Sequence, residues 1–264
     1  QTGVMAARQP GQLSPTGTRT TGSAGDGYRF ARMAGHTVLP LRPMLVPLLS
    51  DDAFVSELNG LHLKNISITV AVDGIKKFSM LGEMEFRDNT LAGPVVLSLS
   101  RKYIDEIIAG KKVVFYFDFK PGLDQEKLNA RLLRDLNTLG KASYTELMRG
   151  LLPGQLLPVF QKKLSVDGGK KCSQITAVER KQLAALIKEF PVHIVAHRDY
   201  NEAIITGGGV STKEVNPKTM ESKIVKNLFF TGEVLDLDAD TGGYNLQIAF
   251  STGYLAGISI QKKE

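Results

Sequence analysis

The sequence predicts an α/β fold (α+β overall) built around a discontinuous domain, and three patterns support this prediction. The pattern of residues 227–257 predicts a strand, an acidic loop, a pair of glycines and a helix. Residues 61–86 alternate apolar and polar side chains, as antiparallel strands do. Leucines at helical spacing follow within residues 124–190. The predicted division is a discontinuous domain of residues 1–43 and 191–264, an inserted β domain of residues 44–123 and a helical subdomain of residues 124–190.

The composition is that of a globular protein with a modest positive charge. The chain has 264 residues, and 42% of them are hydrophobic, which is enough for a substantial core. Against 27 Asp and Glu there are 33 Lys and Arg, a net charge of +6. The lysine pairs are scattered, whereas nucleic-acid binding needs a basic footprint concentrated on one face. We therefore expect a small-molecule substrate and no nucleic-acid partner.

The single cysteine, Cys172, excludes an internal disulfide and a multi-cysteine metal site. Its glycine- and lysine-rich neighbours predict an exposed loop and an incidental surface thiol. The sequence has no apolar run of about 18 residues and no signal peptide. The expectation is a soluble cytoplasmic protein without a membrane partner; the sequence does not indicate an oligomeric state.

The N-terminal part is predicted to be irregular at first and then helical. Residues 1–20 are rich in Gln, Thr, Gly, Pro and Ser, which indicates a loop. A short helix over Tyr28–Ala34 follows, with Asp26 as its cap and Gly35 as its end. Residues 36–39 then predict a strand, and the three prolines of residues 39–49 indicate an edge strand or an extended crossing.

The middle of the chain predicts a hairpin, a helix and a strand in that order. Asp73-Gly74 is a turn signal between strands over residues 61–72 and 76–86, with a bulge at Lys64-Asn65. A helix over Val95–Ile108 and a buried strand over Val113–Phe119 follow.

Three helical regions are expected in residues 124–190. Leucines at helical spacing from Leu128 to Leu139 mark the first. The second spans residues 147–164 and is interrupted by Pro153 and Pro158. The third covers residues 176–190, and Thr176 and Glu179 form a capping box at its start. Strands over residues 192–196 and 203–206 come next, the latter ending at Gly207-Gly208-Gly209.

The stretch over residues 227–257 is the strongest candidate for a ligand site. Leu228–Phe230 predicts a buried strand, Gly232 ends it, and Glu233, Asp236, Asp238 and Asp240 lie in the loop that follows. Thr241-Gly242-Gly243 then opens a helix. Glycine permits close backbone approach, and the N–H groups of a helix start favour an electron-rich ligand. The alternative is close packing of the helix on a sheet with no ligand.

Ala249, Gly253 and Gly257 lie four residues apart and so share one helix face. Glycine inside a helix costs up to about 1 kcal/mol relative to alanine. We therefore expect this stripe to pack closely against a sheet or a flat ligand.

Other site chemistries are not expected. No Ser–His–Asp or Cys–His pattern is visible, and His193 and His197 lie in a predicted strand, where they do not share a helical face. Asp236, Asp238 and Asp240 lack the glycine and terminal glutamate of a calcium loop. We expect them to be solvated loop charges, and we expect no metal site.

Residues 232–257 carry GEVLD, TGGYNLQ and AFSTGYLAG. With these motifs the sequence resembles a bacterial flavoprotein family that includes aminoacetone oxidase and reductases of bile-acid biosynthesis, within the glutathione-reductase-like superfamily. Residues 202–222 (EAIITGGGVSTKEVNPKTMES) and residues 21–28 (TGSAGDGY), with Gly35-His36-Thr37, resemble further motifs of that family. Gly82-Glu83 with Gly93-Pro94 resembles a motif of its inserted domain.

The resemblance implies an FAD-dependent oxidoreductase, reduced by NAD(P)H or by its substrate. It implies a Rossmann-like FAD-binding domain that carries an inserted antiparallel β-barrel-like unit and a small helical subdomain. Glu233 would lie near the ribityl chain, and the helix start would face the electron-rich edge of the flavin. The implied cofactor-binding residues are Gly232, Glu233, Asp236, Thr241, Gly242, Gly243, Tyr244, Asn245 and Leu246. No catalytic residue is identified; Tyr244 is the first to test, and its alternative role is packing at the helix start.

One expected motif is missing from these 264 residues. The sequence has no strand followed by G-x-G-x-x-G, the run that holds a dinucleotide pyrophosphate. The spacing in Gly22-Ser23-Ala24-Gly25-Asp26-Gly27 differs from that run. We therefore expect a partial, truncated FAD-binding domain with an incomplete FAD site. The alternative is a non-catalytic fragment, or a substrate- or partner-binding module unable to hold FAD.

Overall fold

The computed structural model describes the backbone of residues 3–7 and residues 25–261 with their side chains. The chain is a mixed α/β protein with two compact units. The first unit comprises the residues up to Pro47, Val96–Ile104 and the residues from His197 onward. The second comprises Leu48–Val95 and Asp105–Ala196. None of the helices within the described ranges is long and apolar enough to cross a membrane.

The strands are β1 Gly3–Ala7, β2 Val38–Met44, β3 Leu48–Ser50, β4 His62–Val72, β5 Ile75–Arg87, β6 Thr90–Ala92, β7 Val113–Asp118, β8 Phe190–His197, β9 Ile205–Val210 and β10 Leu228–Gly232. The α-helices are α1 Asp26–Met33, α2 Phe54–Glu57, α3 Pro94–Ile108, α4 Gln125–Thr138, α5 Tyr144–Arg149, α6 Leu157–Leu164, α7 Ala177–Lys188 and α8 Tyr244–Gln261. Short 3₁₀ turns lie at Gly154–Leu156, Cys172–Gln174 and Thr212–Glu214.

Two small sheets organise the first unit. Strand β1 pairs in parallel with β10, and β2 pairs antiparallel with β9. The prediction of a loop over residues 1–20 is therefore wrong for residues 3–7, because their backbone pairs with a strand more than 200 residues away; the remainder of that loop lies outside the described residues. The core of the unit is an apolar cluster whose largest members are Tyr28, Phe229 and Phe230.

Helix α1 begins two residues earlier than the sequence predicts. Asp26 is its first residue rather than its cap, and Gly25 occupies the cap position without a side-chain hydrogen bond. Asp26 instead pairs with Arg29 on the exposed side of the first turn. Gly35, with φ of +83°, follows the last turn as predicted.

The second unit contains a closed barrel of strands in the order β3-β6-β5-β4-β7-β8. The predicted hairpin is confirmed as β4 and β5, and its register shifts between Leu63 and Ile66, where the bulge was expected. Residues 190–194 pair with β7 and close the barrel. The sequence boundary at residue 191 is therefore wrong for this segment, because a short apolar alternation does not reveal which strand it will pair with.

Helices α4 to α7 lie in the same unit as the barrel. The capping box of Thr176 and Glu179 is confirmed, and Ser143 with Glu146 forms another at α5. Pro158 does not interrupt a helix. It lies in the first turn of α6, where the missing N–H group has no intrahelical partner to lose.

Cys172 is buried, with 2% of its surface exposed, so the expected surface thiol is wrong. Burial, with a smaller contribution from Glu146, raises the pKa of its thiol. Its backbone N–H donates to the carbonyl of Ala142, which draws the lysine-rich loop onto the helices.

The glycines after Thr206 lie within strand β9 rather than ending it. A Cβ atom at Gly208 would collide with the carbonyl of Pro40, and one at Gly209 would lie 2.6 Å from the carbonyl oxygen of Val234. Both residues have positive φ. The strand therefore needs glycine because its neighbours approach it more closely than any side chain allows.

We expect Gly208→Ala to destabilise the first unit more than Gly35→Ala. The two residues have almost the same φ, +82° and +83°, but a Cβ at Gly35 meets nothing within 4 Å. Gly35→Ala should cost about 1–2 kcal/mol for the left-handed backbone. Gly208→Ala should cost roughly 3–5 kcal/mol because the collision adds to the same strain. Urea unfolding of both variants measures the difference, and equal losses would contradict the close approach.

Candidate functional site

The candidate site lies where β9, the loop after β10 and the start of α8 meet. Glu233 follows β10 directly, and its Oε1 accepts a 2.6 Å hydrogen bond from the backbone N–H of Thr206 in β9. Burial raises the pKa of the Glu233 carboxyl to about 7, the Thr206 hydrogen bond opposes this shift, and the charge of Asp238 adds to it. Glu233 is therefore a carboxyl group that changes its protonation near neutral pH.

Two polar groups at this point have unused hydrogen-bonding capacity. The hydroxyl of Thr206 is buried and has no hydrogen-bond partner in the part of the chain that the structure describes. Within residues 25–261, the Glu233 carboxylate accepts one hydrogen bond, from Thr206. Buried polar atoms in proteins are nearly always paired, so an adjacent pair with spare capacity indicates a place for polar groups of a ligand.

Tyr28 supports the backbone of the site at Glu233. Its hydroxyl donates to the backbone carbonyl of Glu233 at 3.2 Å, and its ring is buried in the core of the first unit. Burial, with the charge of Glu233 as a smaller cause, raises the pKa of the Tyr28 hydroxyl. Tyr28 therefore stays protonated and acts as a neutral donor that fixes the backbone at Glu233.

The acidic loop is held from two sides. Arg101 of α3 donates from Nε to the carboxylate of Asp238, from NH2 to the Asp238 carbonyl at 2.8 Å, and from NH1 to the carboxylate of Asp240 at 3.1 Å. From α8, the Asn245 side chain accepts from the N–H of Ala239 and donates to its carbonyl, both at 2.8 Å. The prediction of solvated charges is therefore wrong for Asp238 and Asp240.

The start of α8 presents an open surface. Gly242 and Gly243 have φ of +112° and +90°, and they turn the chain into the helix. Tyr244 and Leu246 in the first turn are 62% and 50% exposed. N–H groups in the first turn of a helix have no intrahelical partners, so this surface combines unpaired donors with apolar side chains.

The small-residue stripe, for which we expect close packing against a sheet or a flat ligand, does not pack against a sheet. Gly253 and Gly257 are exposed, and a Cβ atom at either position would meet no described residue within 4 Å. Helix α8 instead buries Ala256 and Ser259, and Thr252 accepts a hydrogen bond from the N–H of Gly232. The residues around Thr252 and Ala256 contact β10, so the packed face of α8 differs from the face that carries the small-residue stripe.

The nine predicted cofactor-binding residues lie within residues 232–246, but they differ in exposure and in unused hydrogen-bonding capacity. Glu233 has unused acceptor capacity, and Gly242, Gly243, Tyr244 and Leu246 are exposed. The Asn245 amide is already committed to the loop. The remaining predicted residues are Gly232, which is buried, and Asp236 and Thr241, which are partly buried.

Three residues of the site, Arg101, Thr206 and Tyr28, were not predicted from the sequence. Arg101 lies in a helix more than 130 residues before the loop that it holds. Thr206 precedes the glycine run, and Tyr28 ends the motif TGSAGDGY, so the resemblance had marked both segments without giving these two residues a role.

A buried Ser–His–Glu chain, which the sequence pattern did not predict, lies elsewhere in the first unit. His36 Nε2 is 2.7 Å from the Ser222 hydroxyl, and His36 Nδ1 is 3.1 Å from a carboxylate oxygen of Glu214. Ser222 is buried, and its oxygen accepts from the N–H groups of Ile224 and Val225. With its lone pairs occupied, this serine is not an available nucleophile, and the chain of hydrogen bonds joins three separate segments.

His193 lies near acidic groups rather than near His197. Ligand atoms of Asp51, Asp52 and His193 lie within 4.8 Å of one another in the second unit. Asp52 already accepts from the backbone N–H of His193 and lies 3.2 Å from its Nδ1. Lys111 and Lys112 line the same cavity of about 330 Å³. The carboxylate thus orients the histidine, and the neighbouring lysines disfavour a cation.

Comparison with known proteins gives consistent matches over almost the whole chain. The family model described as "HI0933-like protein Rossmann domain" matches residues 13–259. A Clostridium scindens protein named 3-dehydro-bile acid delta(4,6)-reductase is 29% identical over 240 residues, covering 91% of this chain and 58% of the relative. A Haemophilus influenzae protein named ribosomal RNA dihydrouridine synthase is 29% identical over 244 residues, covering 90% and 56%.

An Escherichia coli protein, also named ribosomal RNA dihydrouridine synthase, is 28% identical over 235 residues, covering 88% of this chain and 55% of the relative. The chain thus spans somewhat more than half the length of the curated relatives that it matches.

We expect Glu233 to make the stability of the first unit depend on pH. Because the folded carboxyl has its pKa at about 7 rather than 4.5, the folded state retains a proton that the unfolded state releases. This contribution to stability is complete below pH 4.5 and is lost as the pH rises through 7, with a total of up to about 3 kcal/mol. In Glu233→Gln the contribution should be independent of pH.

Urea unfolding of wild type and Glu233→Gln from pH 4.5 to 8 measures the difference between the two proteins at each pH. Wild type should lose stability relative to the variant as the pH rises. A constant difference would contradict the raised pKa.

Proposed function

The chain belongs to the HI0933-like Rossmann-domain family, and on this premise we propose that it forms part of an FAD-dependent oxidoreductase. The observation that carries the proposal is the pair of groups at the site with spare hydrogen-bonding capacity, the Thr206 hydroxyl and the Glu233 carboxylate. They lie beside a glycine-led helix start with an open surface. The family relationship and the local chemistry support the same ligand.

The residues fit the sugar-alcohol part of FAD. A ribityl chain carries hydroxyl groups that donate and accept hydrogen bonds. In this proposal they are the hydrogen-bond partners of the Glu233 carboxylate and the Thr206 hydroxyl, which both have unused capacity. The first-turn N–H groups of α8 suit an electron-rich ring edge, because the dipole of the helix is positive there. Tyr244 and Leu246 supply exposed apolar surface for a planar ring.

FAD would supply the hydride-transfer chemistry, and the chain would bind and orient it. In this proposal Glu233 and Thr206 hold the ribityl hydroxyls, while Tyr28 fixes the backbone at Glu233. Asn245 keeps the acidic loop in register with the start of α8. Tyr244 stays the first candidate for a role next to the ring, and the identity of a catalytic acid is open.

We further propose an electron-poor carbon–carbon double bond as the group that is reduced, with NAD(P)H as the hydride donor. The names of the relatives support this substrate class. A 3-dehydro-bile acid with double bonds at positions 4 and 6 is a conjugated ketone, and dihydrouridine differs from uridine by reduction of the double bond next to a carbonyl. The expectation of a small-molecule substrate stays a prediction.

A second candidate function is that of a non-catalytic binding module that does not hold FAD by itself. The observation in its favour is that these 264 residues contain no G-x-G-x-x-G run to bind the pyrophosphate. In that case the unpaired groups at Glu233 and Thr206 would recognise another polar ligand or partner. Titration of the purified chain with FAD, followed by flavin absorbance near roughly 450 nm and by fluorescence, separates the two candidates.

We expect Thr206→Val to stabilise the ligand-free chain and to weaken FAD binding. The substitution removes a buried hydroxyl that has no partner, which should stabilise the fold by about 1 kcal/mol. Loss of one hydrogen bond to the ribityl chain should weaken FAD binding by roughly fivefold to tenfold. Urea unfolding and equilibrium FAD titration measure the two effects.

Thr252→Val is the matched control for this prediction. The Thr252 hydroxyl accepts from Gly232 and donates to the carbonyl of Ile248, so its removal should destabilise the chain. If Thr206→Val binds FAD as tightly as wild type, Thr206 is not a ribityl contact.

We expect the FAD-loaded chain, once reduced by NADPH or NADH, to be reoxidised by a conjugated steroid ketone under anaerobic conditions. The recovery of flavin absorbance measures the reaction, and the saturated ketone is the control substrate. A uridine-containing ribosomal RNA fragment is tested in parallel. Reoxidation by the RNA alone would overturn the small-molecule prediction, and reoxidation by neither would contradict the proposed substrate class.

A further inference from the structure

We propose that Arg101 is a positioning residue of the candidate site, which holds the acidic loop Asp236–Asp240 and offsets the charges of Asp238 and Asp240. The inference about the loop stands on the contacts of the ligand-free chain. Its consequence for bound FAD rests on the function proposed above.

The guanidinium group of Arg101 donates three hydrogen bonds to this loop. Its Nε and NH1 each bond a carboxylate, and its NH2 bonds the Asp238 carbonyl at 2.8 Å. Arg101 is 23% exposed at its side chain and Asp238 is 16% exposed. Ion pairs on an open surface contribute little, but a partly buried fork with three hydrogen bonds fixes geometry as well as charge.

The residue that carries the guanidinium is itself fixed. Ser100, the neighbour of Arg101, is buried, and its hydroxyl accepts from the N–H of Val46 at 3.0 Å and donates to the carbonyl of Leu97. Ile104, one turn later on α3, lies in an apolar cluster with Met44 and Leu45. This part of α3 is therefore a rigid support from which Arg101 reaches the loop.

The loop connects the two parts of the candidate site. Glu233 lies before it and the start of α8 lies after it, and Asn245 holds its far end. Asp238 raises the pKa of Glu233, and the guanidinium is the cation that pairs with Asp238. Among the described residues, the Thr206 N–H and the charge of Asp238 act on the Glu233 carboxyl, and the neutral Tyr28 hydroxyl donates to the backbone carbonyl of Glu233. Arg101 therefore acts on the site through Asp238.

The pKa of Glu233 distinguishes a purely structural role of Arg101 from an electrostatic one, because the two roles predict shifts in opposite directions when Arg101 is removed. If Arg101 only held the loop closed, its removal would admit water and lower the pKa of Glu233 toward its ordinary value. If it offsets Asp238, its removal leaves that carboxylate uncompensated and raises the pKa of Glu233 further. We expect the second result.

The experiment compares Arg101→Gln, Arg101→Lys and the control Arg32→Gln. Arg32 is an exposed residue of α1, so its substitution removes the same charge from the same unit without touching the loop. NMR titration of the Glu233 side-chain carboxyl should show a higher pKa in Arg101→Gln and no change in Arg32→Gln. Arg101→Lys should restore the wild-type value, because it keeps the charge.

Hydrogen exchange tests the positioning role in the same proteins. Amides of residues 236–243 should exchange roughly tenfold faster in Arg101→Gln than in wild type, because the loop loses three hydrogen bonds. Arg101→Lys should show part of this increase, since lysine does not reproduce the fork. Unchanged exchange in Arg101→Gln overturns the positioning role, and an unchanged or lowered pKa of Glu233 in the same variant overturns the charge offset.

Bound FAD gives an independent measurement. The reduction potential of the flavin should fall in Arg101→Gln, because two carboxylates lose their cation, and Asp238→Asn in the same chain should reverse the fall. Failure of wild type to bind FAD would count against the proposed function, and the two measurements on the ligand-free chain would still decide the role of Arg101.

Discussion

The close approach of strand β9 to its neighbours is the constraint on which the candidate site depends. Neither Gly208 nor Gly209 has space for a side chain, because the Pro40 carbonyl lies against Gly208 and the Val234 carbonyl lies against Gly209. At the end of the strand, Val210 donates to the Val234 carbonyl and accepts from the N–H of Asp236. The segment that carries Glu233 is thereby fixed on both sides, and the Thr206 N–H reaches its carboxylate.

This geometry has an electrostatic consequence that the chain only partly offsets. A carboxyl group placed between β9 and the following loop loses water, and one backbone hydrogen bond does not replace it, so the pKa of Glu233 rises to about 7. Arg101 pairs with Asp238 and Asp240, and its positive charge offsets the negative charges of these two carboxylates. A site with a protonatable carboxyl and an unpaired hydroxyl suits a ligand with hydroxyl groups.

Local sequence signals predicted most of the elements. The Asp73-Gly74 turn, the capping box of Thr176 and Glu179 and the Leu228–Phe230 strand depend on neighbours in the chain, and the structure has them where they were expected. The errors lie where a distant partner decides the outcome. They include β1, which pairs with β10, and Cys172, which is buried by helices. The strand at residue 190 likewise joined the barrel because β7 offered a pairing edge.

The class of fold, the family resemblance and the strand–loop–glycine–helix stretch that holds most of the candidate site could be predicted from the amino-acid sequence. These follow from side-chain periodicity and backbone freedom, which are properties of short segments. The folded chain was needed to show that Thr206 faces Glu233, that Arg101 holds the acidic loop and that the two glycines of the α8 stripe are exposed. Those outcomes depend on distances between residues far apart in the chain, and no local pattern encodes such distances.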